Sequence, residues 1–194
     1  MAVHVVLNEL NQPVEAIKVS IGDPANVDPV LNKVNPRNQV PVLVDNGQIM
    51  TEGAAMIVYL CDKHKSELIP ASGIERAKAL QWVLFGNSSL HVGYSRTAFI
   101  KRNGGSDEMV EKSRAMVQSL WDLIENHLEK TGQPYLAGAS VTAGDILVSV
   151  IGNWSFTGAY NFGPKTKALF KAVSSRPAYQ KAIEAEGIEY KAAA

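Results

Sequence analysis

The stretch Val40-Pro41-Val42-Leu43-Val44-Asp45-Asn46-Gly47-Gln48-Ile49-Met50-Thr51-Glu52-Gly53 reads as a strand, a tight turn, a second strand and the start of a helix. Val40 to Val44 is apolar and rich in β-branched residues, and Asp45-Asn46-Gly47 is turn chemistry, so a hairpin into Gln48-Ile49-Met50 is predicted. Thr51-Glu52-Gly53 then opens an amphipathic helical segment. Pro41 at the mouth of the first strand removes one donor and narrows the backbone, leaving the N–H and C=O of Val40 suited to an extended peptide. The first amides of a helix lack partners and favour anions. Together these features predict a cradle for a small peptide carrying a carboxylate.

The chain has 194 residues, enough to bury a sizeable core as one large or two small domains. Nineteen basic and nineteen acidic side chains cancel, which argues against a broad polyanion-binding surface and against nucleic acid as the main partner. A single cysteine, Cys61, excludes an intrachain disulfide and fits a cytoplasmic protein. Neither a signal peptide nor a membrane span is legible, and no metal-ligand spacing, phosphate-binding glycine loop or serine-hydrolase elbow occurs.

Outward from the hairpin the pattern changes character. Val3, Val6, Leu7 and Leu10 share a helical face ended by Asn11-Gln12-Pro13; Val14 to Ile21 alternates as a strand; Val27 to Val34 predicts a short helix. After the hairpin, Met56, Ile57, Leu60 and Cys61 mark a helix ending near Lys63-His64-Lys65, so the order is αβαββα. Ser66 to Gly73 has linker character, and beyond it strand signals stop. Ile74 to Arg102 predicts a long helical tract bent at Gly86 or Gly93. Val117, Leu120, Trp121, Ile124 and Leu128 form a stripe on the next helix. Thr142-Ala143-Gly144-Asp145 is a capping box before Ile146 to Trp154, a helix apolar nearly all round and so expected at the centre of a bundle. Pro164 to Val173 and Pro177 to Glu186 add two further helices.

This order, with Asn35-Pro36-Arg37-Asn38-Gln39-Val40-Pro41-Val42-Leu43, Thr142-Ala143-Gly144-Asp145 and Arg176-Pro177-Ala178, resembles the cytosolic glutathione transferase family over the whole length. Trp82 to Tyr94, with Leu90-His91, looks most like its bacterial beta-class branch. The resemblance implies a thioredoxin-like α/β domain over residues 1–65, a linker over 66–73 and an all-helical domain over 74–194. It implies glutathione as ligand or co-substrate, with no metal. The Val40 backbone would pair with the cysteinyl residue, with Pro41 in cis. Glu52 and the Gly53 amide would hold the γ-glutamyl end, and Lys33 would approach the glycyl carboxylate. Gly53 departs from the family, which commonly has Ser there, and the lost hydroxyl removes a hydrogen bond worth about 1 kcal/mol. His91 is a candidate contributor beside the acceptor pocket, although Val92 replaces the lysine that often follows.

A second departure lies at the beginning. In the resembled family a strand precedes the first helix, and the Tyr, Ser or Cys that activates glutathione sits between them. Set against Ala2 to Leu7, that residue is expected before Met1, and the strand between those of Val14 to Ile21 and Val40 to Val44 is missing. An upstream segment, another segment or partner chain filling the slot, and a short form that binds without catalysing remain open.

Two functions follow as expectations. One is a glutathione transferase joining the thiolate to a small apolar electrophile; the other is a glutathione-binding or regulatory protein without turnover. A pure interaction scaffold is a third. The resemblance adds a homodimer with Trp and Met side chains at its seam. Read from the residues alone, Lys33 is a solvated charge, His4 structural and Cys61 a buried apolar residue, while His91 is equally a packed, hydrogen-bonded core histidine or a polar group beside a pocket. Trp82, Trp121 and Trp154 are core or interface anchors at helical spacing, while Tyr94, Phe99, Trp154 and Tyr160 are also candidates to line an apolar cleft.

Overall fold

The computed structural model describes residues 1–20, 28–155 and 160–192. Helix α1 (Ala2–Glu9) and α2 (Pro29–Val34) precede strands β1 (Leu43–Asp45) and β2 (Gln48–Met50), and α3 (Gly53–Lys63) follows. The helical half comprises α4 (Gly73–Phe85), a π-helical turn (Gly86–Leu90), α5 (His91–Arg102), α6 (Asp107–Thr131), α7 (Ala143–Gly152), a 3-10 turn (Asn153–Ser155), α8 (Pro164–Ser174) and α9 (Pro177–Glu186). A small α/β unit followed by an all-helical unit is the expected fold class. No helix among the described residues is long and apolar enough to cross a membrane.

The hairpin forms where its turn chemistry places it. Asn46 and Gly47 both adopt positive φ, 49° and 77°, the pair that a two-residue hairpin turn with right-handed strand twist requires. The antiparallel register pairs Leu43 with Met50, Val44 with Ile49 and Asp45 with Gln48. Asp45 then ties the hairpin to α3, accepting from the Tyr59 hydroxyl at 2.7 Å and from the Lys63 ammonium.

Two expectations about strands are corrected. Residues 14–20 form no strand, and Ile21 lies outside the described residues. Alternation makes a strand only where a neighbour takes up its N–H and C=O groups, and among the described residues β1 and β2 pair solely with each other. Val14 and Ile17 are accordingly exposed. For the same reason Val40 to Val42 lie outside the ladder, and the observed order is ααββα.

Helix α7 is the axis of the helical half. Nearly every residue from Ala143 to Gly152 is buried, and α1, α4 and α8 pack around it. Close approach to α4 depends on Gly144, where a Cβ would stand 2.5 Å from Trp82 Cβ and 3.1 Å from the Trp82 carbonyl carbon. The stripe on α6 is buried as its spacing predicts, with Leu120 at its half-buried edge. Two helix N-termini, those of α7 and α8, are capped from inside the structure. Asp145, fully buried, accepts from the Thr142 N–H at 2.7 Å, the Thr142 hydroxyl at 2.8 Å and the Leu136 N–H at 2.8 Å. Glu125 reaches from α6 to accept the Lys165 and Thr166 amides at 2.9 and 2.7 Å, capping α8.

Helix α1 is stitched to the opposite end of the chain. The Arg176 guanidinium donates two hydrogen bonds of 2.7 Å to the Glu9 carboxylate, and the Asn8 amide donates to the Ala178 carbonyl at 3.0 Å. His4 lies 3.1 Å from Glu186, a structural position.

Removing the Asp145 acceptor leaves two backbone donors without a partner in a dry interior. Asp145→Ala is expected to lower the unfolding free energy by about 3 kcal/mol, read as a shift of the urea midpoint at unchanged slope.

Candidate functional site

The loop before Pro41 is organised by one buried amide. Asn35 donates from its side chain to the Gln39 carbonyl at 2.8 Å and accepts the Arg37 amide at 3.1 Å, while its own carbonyl accepts from Asn38 N at 2.8 Å. This knot delivers the chain to a cis Val40–Pro41 peptide. Val40 is exposed, and neither its N–H nor its C=O is bonded to another group among the described residues. A backbone edge open to an extended peptide is therefore present, as expected from Pro41.

Glu52 terminates the hairpin in an unusual conformation. Its φ is 69° and ψ is 102°, a region that side chains other than glycine rarely occupy and that gathers at ligand clamps. The first helical bond of α3 runs from Met56 N to the Glu52 carbonyl at 3.1 Å, and no side chain caps the helix, so the amides of Gly53, Ala54 and Ala55 have no acceptor from the helix itself. Gly53 packs beside the proline; a Cβ there would lie 3.5 Å from Pro41 Cγ, ordinary contact. Pro41, Gly53 and Glu52 thus form one continuous rim.

The carboxylate of Glu52 does not serve the helix dipole. It accepts from Arg37 Nη2 at 2.6 Å, and both side chains remain more than half exposed, 58% and 56%. Arg37 was not singled out from the sequence, because fifteen residues separate it from Glu52 and only the fold brings the two together. Lys33, in the last turn of α2, is exposed and makes no ion pair among the described residues.

The helical half contributes an aromatic wall. The π-helical turn sets the start of α5, whose first residue is His91. The His91 ring meets Trp154 edge-on at 5.2 Å; Tyr94 contacts Trp154 at 5.9 Å and Tyr160 at 4.9 Å, and its hydroxyl accepts from Trp121 Nε1 at 3.1 Å. Trp154 is 43% exposed and belongs to this wall, in contrast to the buried Trp82 and Trp121. Phe99, a candidate for the same cleft, is 66% exposed and has no aromatic partner among the described residues; it lies two helical turns from His91 toward the far end of α5.

Electrostatics connect the two sides. His91 is exposed as a residue, but partial desolvation of its ring holds the imidazole below its ordinary range, while the Glu52 carboxylate pulls it upward, so the two are within electrostatic reach. Cys61 is of another kind. Burial, aided by the charge of Asp62, pushes its thiol up to about 12, which leaves it protonated and inert as the apolar stripe of α3 implies.

A family model described as the N-terminal domain of glutathione S-transferase matches residues 1–68, and one described as the C-terminal domain matches residues 80–177. Glutathione S-transferase 3 of Zea mays is 29% identical over 194 residues, covering 93% of this chain and 86% of its own length. The solved ternary complex of BphK, a bacterial GST, superposes with a TM-score of 0.83 at 30% identity, covering 96% of this chain and 94% of that one. A sphingomonad glutathione S-transferase complexed with glutathione superposes with a TM-score of 0.80 at 27% identity, covering 97% and 94%.

The coupling across the site has a measurable sign. An NMR titration of the His91 ring is expected to place its midpoint below the ordinary 6.5, and Glu52→Gln is expected to lower it further by removing the attraction for the imidazolium. Since the folded state takes up this proton less readily than the unfolded chain, the His91 contribution to stability is complete above about pH 6.5 and is lost as pH falls through the folded value.

Proposed function

The chain belongs to the glutathione S-transferase family, and on that premise we propose that it conjugates the thiolate of glutathione to small apolar electrophiles. The observation that carries this reading is the rim of Val40, cis-Pro41, Glu52 and Gly53, where an open backbone edge and uncapped helix amides meet a carboxylate. In this reading Val40 pairs with the cysteinyl residue through its N–H and C=O. The Gly53 amide takes the γ-glutamyl carboxylate, Glu52 takes the α-ammonium, and Lys33 approaches the glycyl carboxylate. The cysteinyl sulfur then faces the wall of His91, Trp154, Tyr94 and Tyr160, where an apolar acceptor would rest. The thiol gives its proton to solvent water, and the thiolate lone pair bonds to the electrophilic carbon while the leaving group departs with the electrons of the broken bond.

The finer placement is the bacterial beta-class branch, supported by Leu90-His91 and by the likeness to BphK. A homodimer is supported by the exposed Val92, Met109 and Met116 on α5 and α6. A cytoplasmic location is supported by the lone, buried Cys61.

The test is calorimetric binding of glutathione together with glutathione-dependent turnover of a reactive aryl halide. Glu52→Ala is expected to weaken binding by about 2 kcal/mol, the value of a hydrogen bond to a charged group, with the circular dichroism spectrum unchanged. Unchanged affinity would remove Glu52 from the site. Gly53→Ser is expected to act in the opposite direction: the added Cβ meets Pro41 at 3.5 Å without a clash, and the regained hydroxyl should tighten binding by about 1 kcal/mol, roughly fivefold.

A further inference from the structure

We infer that Arg37 is a specificity-determining residue of this site, forming with Glu52 a paired receptor for a zwitterionic amino-acid head group, so that the α-carboxylate of the ligand is taken by the guanidinium. The inference rests on the glutathione reading above and adds to it a residue and a chemical selection.

The starting point is the ion pair itself. Arg37 Nη2 lies 2.6 Å from Glu52 Oε1 with both side chains more than half exposed, so each charged group is accessible to a ligand without unfolding anything. An exposed pair of this kind contributes little to stability, which leaves it free to exchange partners. The two ends are nonetheless well placed. Glu52 is fixed by its left-handed backbone at the start of α3, and the Arg37 backbone is fixed by the Asn35 side chain. A group carrying an ammonium and a carboxylate on one carbon matches this arrangement: its ammonium replaces the guanidinium on Glu52, and its carboxylate replaces Glu52 on the guanidinium. Four charges then alternate in sign and none is left unpaired. Arginine suits the task because its planar fork presents two parallel donors to a carboxylate.

The same step accounts for Gly53. A serine there would offer the ligand carboxylate a hydroxyl, and glycine offers only its amide. The guanidinium beside Glu52 supplies the missing donor, and with a charge.

The test compares two ligands on two proteins by calorimetry. One ligand is glutathione; the other is γ-aminobutyryl-cysteinyl-glycine, which keeps the ammonium and lacks the α-carboxylate. Arg37→Gln is expected to lose about thirtyfold in affinity for glutathione, the value of one hydrogen bond to a charged group, and less than twofold for the analogue. A loss of less than twofold on glutathione, or an equal loss on both ligands, overturns the role of Arg37 while leaving the glutathione reading intact. Failure of the unaltered protein to bind glutathione overturns that reading and this inference together.

Discussion

The site depends on a carboxylate that never meets it. Asp145 sits without solvent contact at the start of α7 and accepts three hydrogen bonds, two of them from backbone amides that have no other acceptor. A helix as apolar as α7 gains its position by burial, but burial alone does not decide where such a helix begins. The capping box does, because only one residue can satisfy those donors. From that origin both sides of the site are placed. The Ala143 amide donates to the Leu68 carbonyl at 2.9 Å, tying the segment after α3 to the start of α7. One turn on, Leu147 meets Gly86, where a Cβ would stand only 3.1 Å away, so the π-helical turn and with it His91 are seated on the same helix.

Rigid support allows the candidate rim to be locally unfavourable. Glu52 adopts a left-handed backbone, and the α3 N-terminus carries no side-chain cap. Such features persist where surrounding contacts over-determine them. Here the hairpin is held to α3 through Asp45, Tyr59 and Lys63, and the loop before Pro41 is held by Asn35. The result is a set of unspent donors and one carboxylate facing solvent. The ion pair with Arg37 neutralises that carboxylate.

The differences between expectation and structure share a cause. Turn chemistry, capping and helical periodicity are local, and Asn46-Gly47, Thr142 with Asp145 and the α6 stripe appear where their spacing puts them. Strand formation is not local. Residues 14–20 carry an alternating pattern, but without a partner for their backbone groups they remain outside any ladder. Aromatic placement is equally non-local. Trp154 and Phe99 look alike as apolar residues on helical stretches, yet Trp154 joins His91 and Tyr94 from within the 3-10 turn, whereas Phe99 lies two helical turns away along α5 and faces solvent.

The amino-acid sequence by itself determined the family, the order of an α/β unit before a helical unit, and the hairpin with Pro41 ahead of it and Glu52 at the start of α3. These rest on short-range signals: a proline before a β-branched run, a turn dipeptide, an acid at a helix start. Only the tertiary structure decided that Arg37 faces Glu52, that His91 feels the Glu52 charge, and that Trp154 belongs to the aromatic wall. Charges separated by fifteen or thirty-nine residues in the chain interact only after packing has brought them near one another, and that proximity is a property of the fold.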